Sequence, residues 1–230
     1  MRLDYFVANA TALSRRDAKK AISAGLVQVG DQICCKPGTL VTPESGITLE
    51  GQPLTLPGER YLMLNKPKGF ISATRDSQQP TALDLLPAGA RQGLHIAGRL
   101  DADTTGLLLL TTDGQWSHRI TSPRVSCPKT YRVTLSEAID ATAISRLEQG
   151  VELRNESRPT APARVHNLDD RLIDLTISEG RYHQVRRMLA AVGNHVEALH
   201  RWRIGEIALD PTLAPGQYRP LTAKEVESLA

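Results

Sequence analysis

The stretch LIDLTISEGRYHQVRRM, residues 172–188, changes its hydrophobic period partway along. Leu172, Asp174, Thr176 and Ser178 alternate with Ile173, Leu175 and Ile177, which is the period of a half-buried strand. Gly180 interrupts the run, and a helix is predicted over 183–192, with Gly193 placed to stop it. Outward from this strand-to-helix junction, further strands are predicted at 61–64, 94–97, 106–110, 130–135, 163–168 and 195–204. Helices are predicted at 115–121 and 140–149, and a last one begins at Thr222, where Glu225 completes a capping box. The strands follow one another through short loops without a repeating strand–helix–strand rhythm. This favours an antiparallel or mixed sheet with flanking helices, and the expected fold class is α+β.

Residues 1–57 read as a separate small domain, and 58–230 as the larger one. Ser14 and Asp17 resemble a capping box ahead of a helix over 15–24, and Gly25 ends it. A hairpin is predicted with strands 26–29 and 32–34 around Gly30-Asp31, followed by short strands at 47–49 and near Leu54. Pro53, Pro57 and Gly58 mark the boundary.

Composition narrows the class. Hydrophobic residues are 40% and charged residues 23% of the 230, enough apolar material for a core and unlike a disordered or collagen-like chain. The formal charge is +3, which permits a polyanionic partner without naming one. Aromatics are only 4%, which argues against a platform of several base-stacking rings. The three cysteines, Cys34, Cys35 and Cys127, form no C-x-x-C and share no ligand spacing with the histidines, so free thiols and no metal are expected. The start MRLDYF lacks a signal-peptide core, and the run Leu107–Leu110 is too short to span a bilayer. A cytoplasmic protein without membrane contact is expected.

Three segments could carry chemistry. GRLDADTTGLLLL (98–110) places Arg99, Asp101 and Asp103 in a loop between apolar runs. Such a loop can simply be a turn held by side-chain hydrogen bonds, or it can present a carboxylate to a cleft as base or nucleophile. SEGRYHQVRRM (178–188) gathers Arg181, Arg186 and Arg187 at one junction, with His183 and Arg187 sharing a helical face. That is a solvated basic face, a phosphate site, or an arginine orienting a carboxylate. Arg15, Arg16, Lys19 and Lys20 form a basic stripe on the first predicted helix. With Arg2 and Lys36, the first 36 residues hold six basic groups against three acidic ones, a concentration that favours phosphate contact there. Tyr131, in KTY (129–131), opens a strand and reads on its own as packing. Phosphate-loop, dinucleotide, zincin and nucleophile-elbow motifs are absent from the sequence.

Taken together, MLNKPKG (63–69), GRLDADTTGLLLL, TTDGQWSHRITSPR (111–124), KTY and SEGRYHQVRRM resemble the RsuA-type family of rRNA pseudouridine synthases, in the same order along nearly the whole chain. QWSHRITSPR and SEGRYHQVRRM are most similar to the branch that modifies 16S rRNA of the small ribosomal subunit. The first domain is similar to the alpha-L RNA-binding motif. This resemblance implies isomerisation of a uridine within RNA, without cofactor or metal, by a monomer acting on 16S rRNA or a small-subunit assembly intermediate. It implies Asp101 as the catalytic aspartate, Arg186 as the guanidinium that keeps it ionised, and Tyr131 as the ring against the uracil. Arg99 would hold the strands apart around the flipped nucleotide, and Asp103 would be structural. Arg181, His183, Arg187 and the basic residues of the first domain would contact RNA.

Two other readings make different predictions. A non-catalytic ribosome-assembly protein would bind RNA through its first domain and be indifferent to substitution of Asp101. A carboxylate-dependent hydrolase would need Asp103 as much as Asp101.

Overall fold

The computed structural model describes residues 1–122 and 125–229, so Pro123 and Arg124, the end of the TTDGQWSHRITSPR stretch, lie outside the described residues. The chain divides into two compact units, Met1–Glu59 and Arg60–Ala230.

The first unit contains α1 (Leu3–Ala10), α2 (Arg15–Ser23), β1 (Val27–Val29), β2 (Gln32–Ile33), β3 (Ile47–Leu49) and β4 (Gln52–Pro53). The strands form an antiparallel sheet in the order β2-β1-β3-β4. Ser14 starts α2 by accepting a hydrogen bond from the Asp17 amide (3.1 Å). Helix α1 has no comparable signal, since Arg2 occupies its cap without a side-chain bond, and the sequence reading misses it. Leu3, Phe6 and Val7 recur at helical spacing on α1 and bury against Ala18 and Ile22 of α2 and Val27 and Ile47 of the sheet.

The second unit runs β5 (Tyr61–Lys66), β6 (His95–Ala97), β7 (Thr105–Thr111), α3 (Gly114–Thr121), β8 (Lys129–Leu135), α4 (Ala141–Gln149), β9 (Arg164–Asp169), β10 (Leu172–Ile177), α5 (Gln184–Ala191), β11 (Val196–Ile204), β12 (Ile207–Ala208), β13 (Tyr218–Pro220) and α6 (Ala223–Glu227). One sheet takes the order β13-β5-β7-β11-β8-β10-β9, with β6 paired to β7 and β12 to β11. Pairing is antiparallel except between β7 and β11, so the sheet is mixed and mainly antiparallel, and the α+β expectation holds. The unbroken run Leu107–Leu110 is explained by its central place in this sheet. Leu108 and Leu110 face one core with Tyr131, Val133, Leu175 and the α5 residues Val185, Met188 and Leu189. Leu107 and Leu109 face the other core, with Trp116 and Ile120 of α3.

The alternation in β10 differs from a half-solvated strand at one position. Asp174 is buried because Arg132, its partner in the register with β8, clamps it with two hydrogen bonds of 3.0 Å. A carboxylate on the polar side of the pattern is thereby taken out of water with its charge matched.

Candidate active site

Asp101 sits on the loop between β6 and β7, and several peptide groups around it are tied down. The Leu100 amide donates to Ser72 Oγ (2.9 Å), whose hydroxyl donates back to the Leu100 carbonyl (2.7 Å). The Thr104 amide closes a turn on the Asp101 carbonyl (3.1 Å), and the Gly69 amide donates to the Ala102 carbonyl (2.8 Å). From beneath, buried Arg201 donates to the carbonyls of Arg99 (3.2 Å) and Gly98 (3.4 Å). The loop is thus held through backbone bonds, leaving the Asp101 carboxylate free to project; its side chain is 40% exposed.

Two buried cations lie under this loop, and sequence reasoning singled out neither. Lys66 ends β5 and donates to the carbonyls of Pro67 (2.8 Å) and Ala102 (3.4 Å). Burial pushes its pKa down to about 8, while Asp103 and Asp101 pull it back up. Arg201, only 2% exposed, also donates to the Leu107 carbonyl (3.0 Å) and the Tyr131 hydroxyl (3.5 Å), and its guanidinium carbon lies 5.9 Å from the Tyr131 ring centre. A shift in register between Arg201 and Arg203 on β11 breaks the strand's alternation there, which hides an interior arginine from period-based reading. Gly106 makes the approach possible: with φ at +104°, a Cβ there would strike the Arg201 carbonyl oxygen. Lys66, by contrast, lies within the quoted MLNKPKG block, so a signal for it was present.

The side chains nearest the carboxylate differ from the Arg186 contact that the resemblance implies. Arg186 does not hold Asp101; it donates to Asp103 (2.7 Å) and to the Val196 carbonyl (3.3 Å). Asp101 instead has His183 Nε2 at 3.4 Å from Oδ1. The reason is that α5 starts only at Gln184, so His183 is the last residue of the turn facing the loop while Arg186 is already in the helix.

Arg181 and Arg187, the other arginines of this junction, each make several bonds within the protein. Arg181 donates to Glu179 (3.2 Å) and to the carbonyls of Arg158 (2.7 Å) and Pro159 (2.6 Å). Arg187 donates to Glu156 (2.9 Å) and to the carbonyls of Tyr182 (3.2 Å) and Arg154 (2.6 Å). Both buttress the turn. Tyr131 is buried in the sheet core as described, and the Arg99 side chain is exposed beside the loop.

In the first unit the six basic residues split into groups. Arg2 (3.0 Å), Arg15 (3.4 Å) and Lys19 (3.8 Å) surround fully buried Asp4, yet each keeps about half its side chain exposed. Hydrogen bonding from Arg2 leads the effects that hold the Asp4 pKa down to about 2, against the upward push of burial. Lys20 pairs with Asp17 (3.3 Å), and Arg16 and Lys36 are exposed. Among the described residues no group of three His, Cys, Asp or Glu side chains is arranged to hold a metal ion, and no helix is long and apolar enough to cross a membrane.

Comparison with known proteins agrees with this division. Residues 60–191 match the family model described as RNA pseudouridylate synthase, and residues 1–47 match the S4 domain. The chain is 50% identical over 232 residues to ribosomal small subunit pseudouridine synthase A of Vibrio parahaemolyticus serotype O3:K6 (strain RIMD 2210633), covering 100% of this chain and 99% of that one. It is 50% identical over 230 residues to the protein of the same name from Escherichia coli (strain K12), covering 100% of both. A crystal structure of a pseudouridylate synthase superposes with a TM-score of 0.74 at 47% identity, covering 100% of both chains.

Proposed function

This chain belongs to the RNA pseudouridylate synthase family, and we propose that it isomerises one uridine of 16S rRNA, with Asp101 as the catalytic carboxylate. The observation that carries this reading is the Asp101 loop, a half-exposed carboxylate on a backbone held by Ser72, Gly69, Lys66 and Arg201. Preorganisation of this kind lets a carboxylate act without spending energy on ordering the loop during the reaction. The uridine leaves the RNA stack so that its sugar and base reach Asp101. The bond from base nitrogen to sugar breaks, the uracil turns, and a ring carbon bonds to the same sugar carbon. The proton from that ring carbon leaves, and the freed nitrogen takes up another, so product and substrate are isomers. Tyr131, its hydroxyl held by Arg201, packs against the uracil, and exposed Arg99 occupies the gap in the RNA. Arg186, paired with Asp103 two residues further along the same loop, supplies the positive charge that favours the ionised form of Asp101. The enzyme works as a cytoplasmic monomer on 16S rRNA or on an assembly intermediate of the small subunit. The small-subunit assignment is supported by the names of its full-length relatives.

Small-subunit rRNA tritiated at the departing ring position of uridine tests the reading. Wild-type protein releases tritium, and Asp101→Asn abolishes release while RNA affinity stays within about threefold, since one exposed carboxylate adds little to phosphate-driven binding. Full release by Asp101→Asn would remove Asp101 from the chemistry. Loss on Asp103→Asn equal to that on Asp101→Asn would favour the paired-carboxylate alternative.

A further inference from the structure

Beside the Asp101 loop, Tyr182 leaves its side chain in water. It is 72% exposed, the largest aromatic exposure among the described residues, in a chain with few aromatics to spare. Its ring lies flat on His183, with centroids 3.9 Å apart and planes 17° from parallel. The other edge of His183 reaches Asp101 Oδ1 at 3.4 Å. The three side chains therefore form a short series leading outward from the carboxylate: Asp101, the imidazole, the phenol ring, then solvent.

The turn that makes this arrangement is built at a cost. His183 is left-handed, with φ 47° and ψ 36°, a conformation that side-chain-bearing residues seldom adopt. It is held there by a dense set of bonds. The Arg181 amide donates to Gln184 Oε1 (2.8 Å), Gln184 Nε2 donates to Glu179 (2.7 Å), and Arg187 donates to the Tyr182 carbonyl (3.2 Å). Two arginines and a buried glutamine thus fix a turn that presents a stacked pair of rings. Packing does not explain the pair, because Tyr182 is not in the core.

A flat ring with one face covered by imidazole and the other open matches a nucleobase. Every base has a π-face, and stacking on a fixed ring costs little further ordering. We propose that the outer face of Tyr182 is a base-stacking subsite, taken by an unpaired nucleobase next to the uridine that reaches Asp101. This rests on the functional reading above and adds to it a contact that selects single-stranded RNA flanking the target. Tyr182 is here a substrate-binding residue, and His183 positions it.

The test uses the full chain with synthetic RNAs carrying the modified uridine, each with an abasic nucleotide at one flanking position, scored for both Kd and tritium release. Tyr182→Ala should raise Kd and KM about tenfold, with the loss falling mainly in KM, and Tyr182→Phe should restore both. An abasic nucleotide at one flanking position should cost the wild type a similar factor and cost Tyr182→Ala nothing more. A melting temperature equal to wild type, expected for so exposed a side chain, separates this from a folding defect. Unchanged Kd in Tyr182→Ala, or abasic penalties that add to it at every flanking position, would overturn the subsite. Absence of tritium release by the wild type would defeat the functional reading instead, and the Kd comparison would still decide the stack.

Discussion

At the scale of single residues, the site depends on close approach as much as on charge. Gly106 shows this most simply, because the backbone of β11 passes where its side chain would be, and its φ of +104° suits no other residue. Gly106→Ala is expected to lower stability by about 3 kcal/mol, seen as a fall in melting temperature of roughly 10 °C. A fall of less than about 2 °C would mean that β7 and β11 can part without penalty. The consequence for function follows from Arg201, whose carbonyl would be struck and whose guanidinium supports Gly98, Arg99 and Tyr131. The glycine was visible in GLLLL as a residue type, but its neighbour was not, because Arg201 lies 95 positions away in the chain. The same separation hid the partner of Arg186. Sequence spacing showed three arginines at one junction, whereas which carboxylate each would meet depended on a loop about 80 residues earlier.

At the scale of elements, α1 and α2 are joined by an apolar contact and by one buried charge. Leu3, Phe6 and Val7 meet Ala18 and Ile22, and among them Asp4 gathers Arg2, Arg15 and Lys19. A carboxylate with a folded pKa of about 2 and an unfolded one near 3.9 stabilises the fold fully above the unfolded value. That contribution is lost as pH falls from about 4 through about 2, because the unfolded chain takes up its proton first. Amide protection factors of Leu3, Phe6 and Ile22, taken relative to intrinsic exchange at each pH, should therefore fall across this window in the wild type and change less in Asp4→Asn. An identical acid dependence in the two proteins would mean that Asp4 does not couple the helices. Periodic elements such as β10 and α5 were legible from residue pattern, since burial on one face imposes that pattern directly. Helix α1 was not, for lack of a cap, and neither was the burial of Asp174, which needs Arg132 from another strand.

At the scale of the molecule, charge is divided unevenly. The formal +3 of the whole chain resides in the first 36 residues, while the remainder is balanced. In the larger unit, Arg132, Arg181, Arg186, Arg187, Arg203 and Arg219 each pair with a carboxylate, so their number adds little free positive surface. Exposed Arg16 and Lys36 in the smaller unit are the better candidates for phosphate contact. Replacing both with alanine should lower the slope of log Kobs against log salt by about 1.5, measured on rRNA between about 50 and 200 mM salt. An unchanged slope would place the RNA anchor elsewhere. Family, the α+β class, the basic first unit and the presence of an aspartate loop could all be read along the chain, because each depends on residue type and local spacing. The pairing of His183 with Asp101, of Arg186 with Asp103, and the burial of Lys66 and Arg201 could not. Those follow from strand order, from the parallel contact of β7 with β11, and from the left-handed turn at His183, all of which bring together side chains distant in sequence. Electrostatic partnership is a matter of a few ångströms in space, and only the assembled sheet sets that distance.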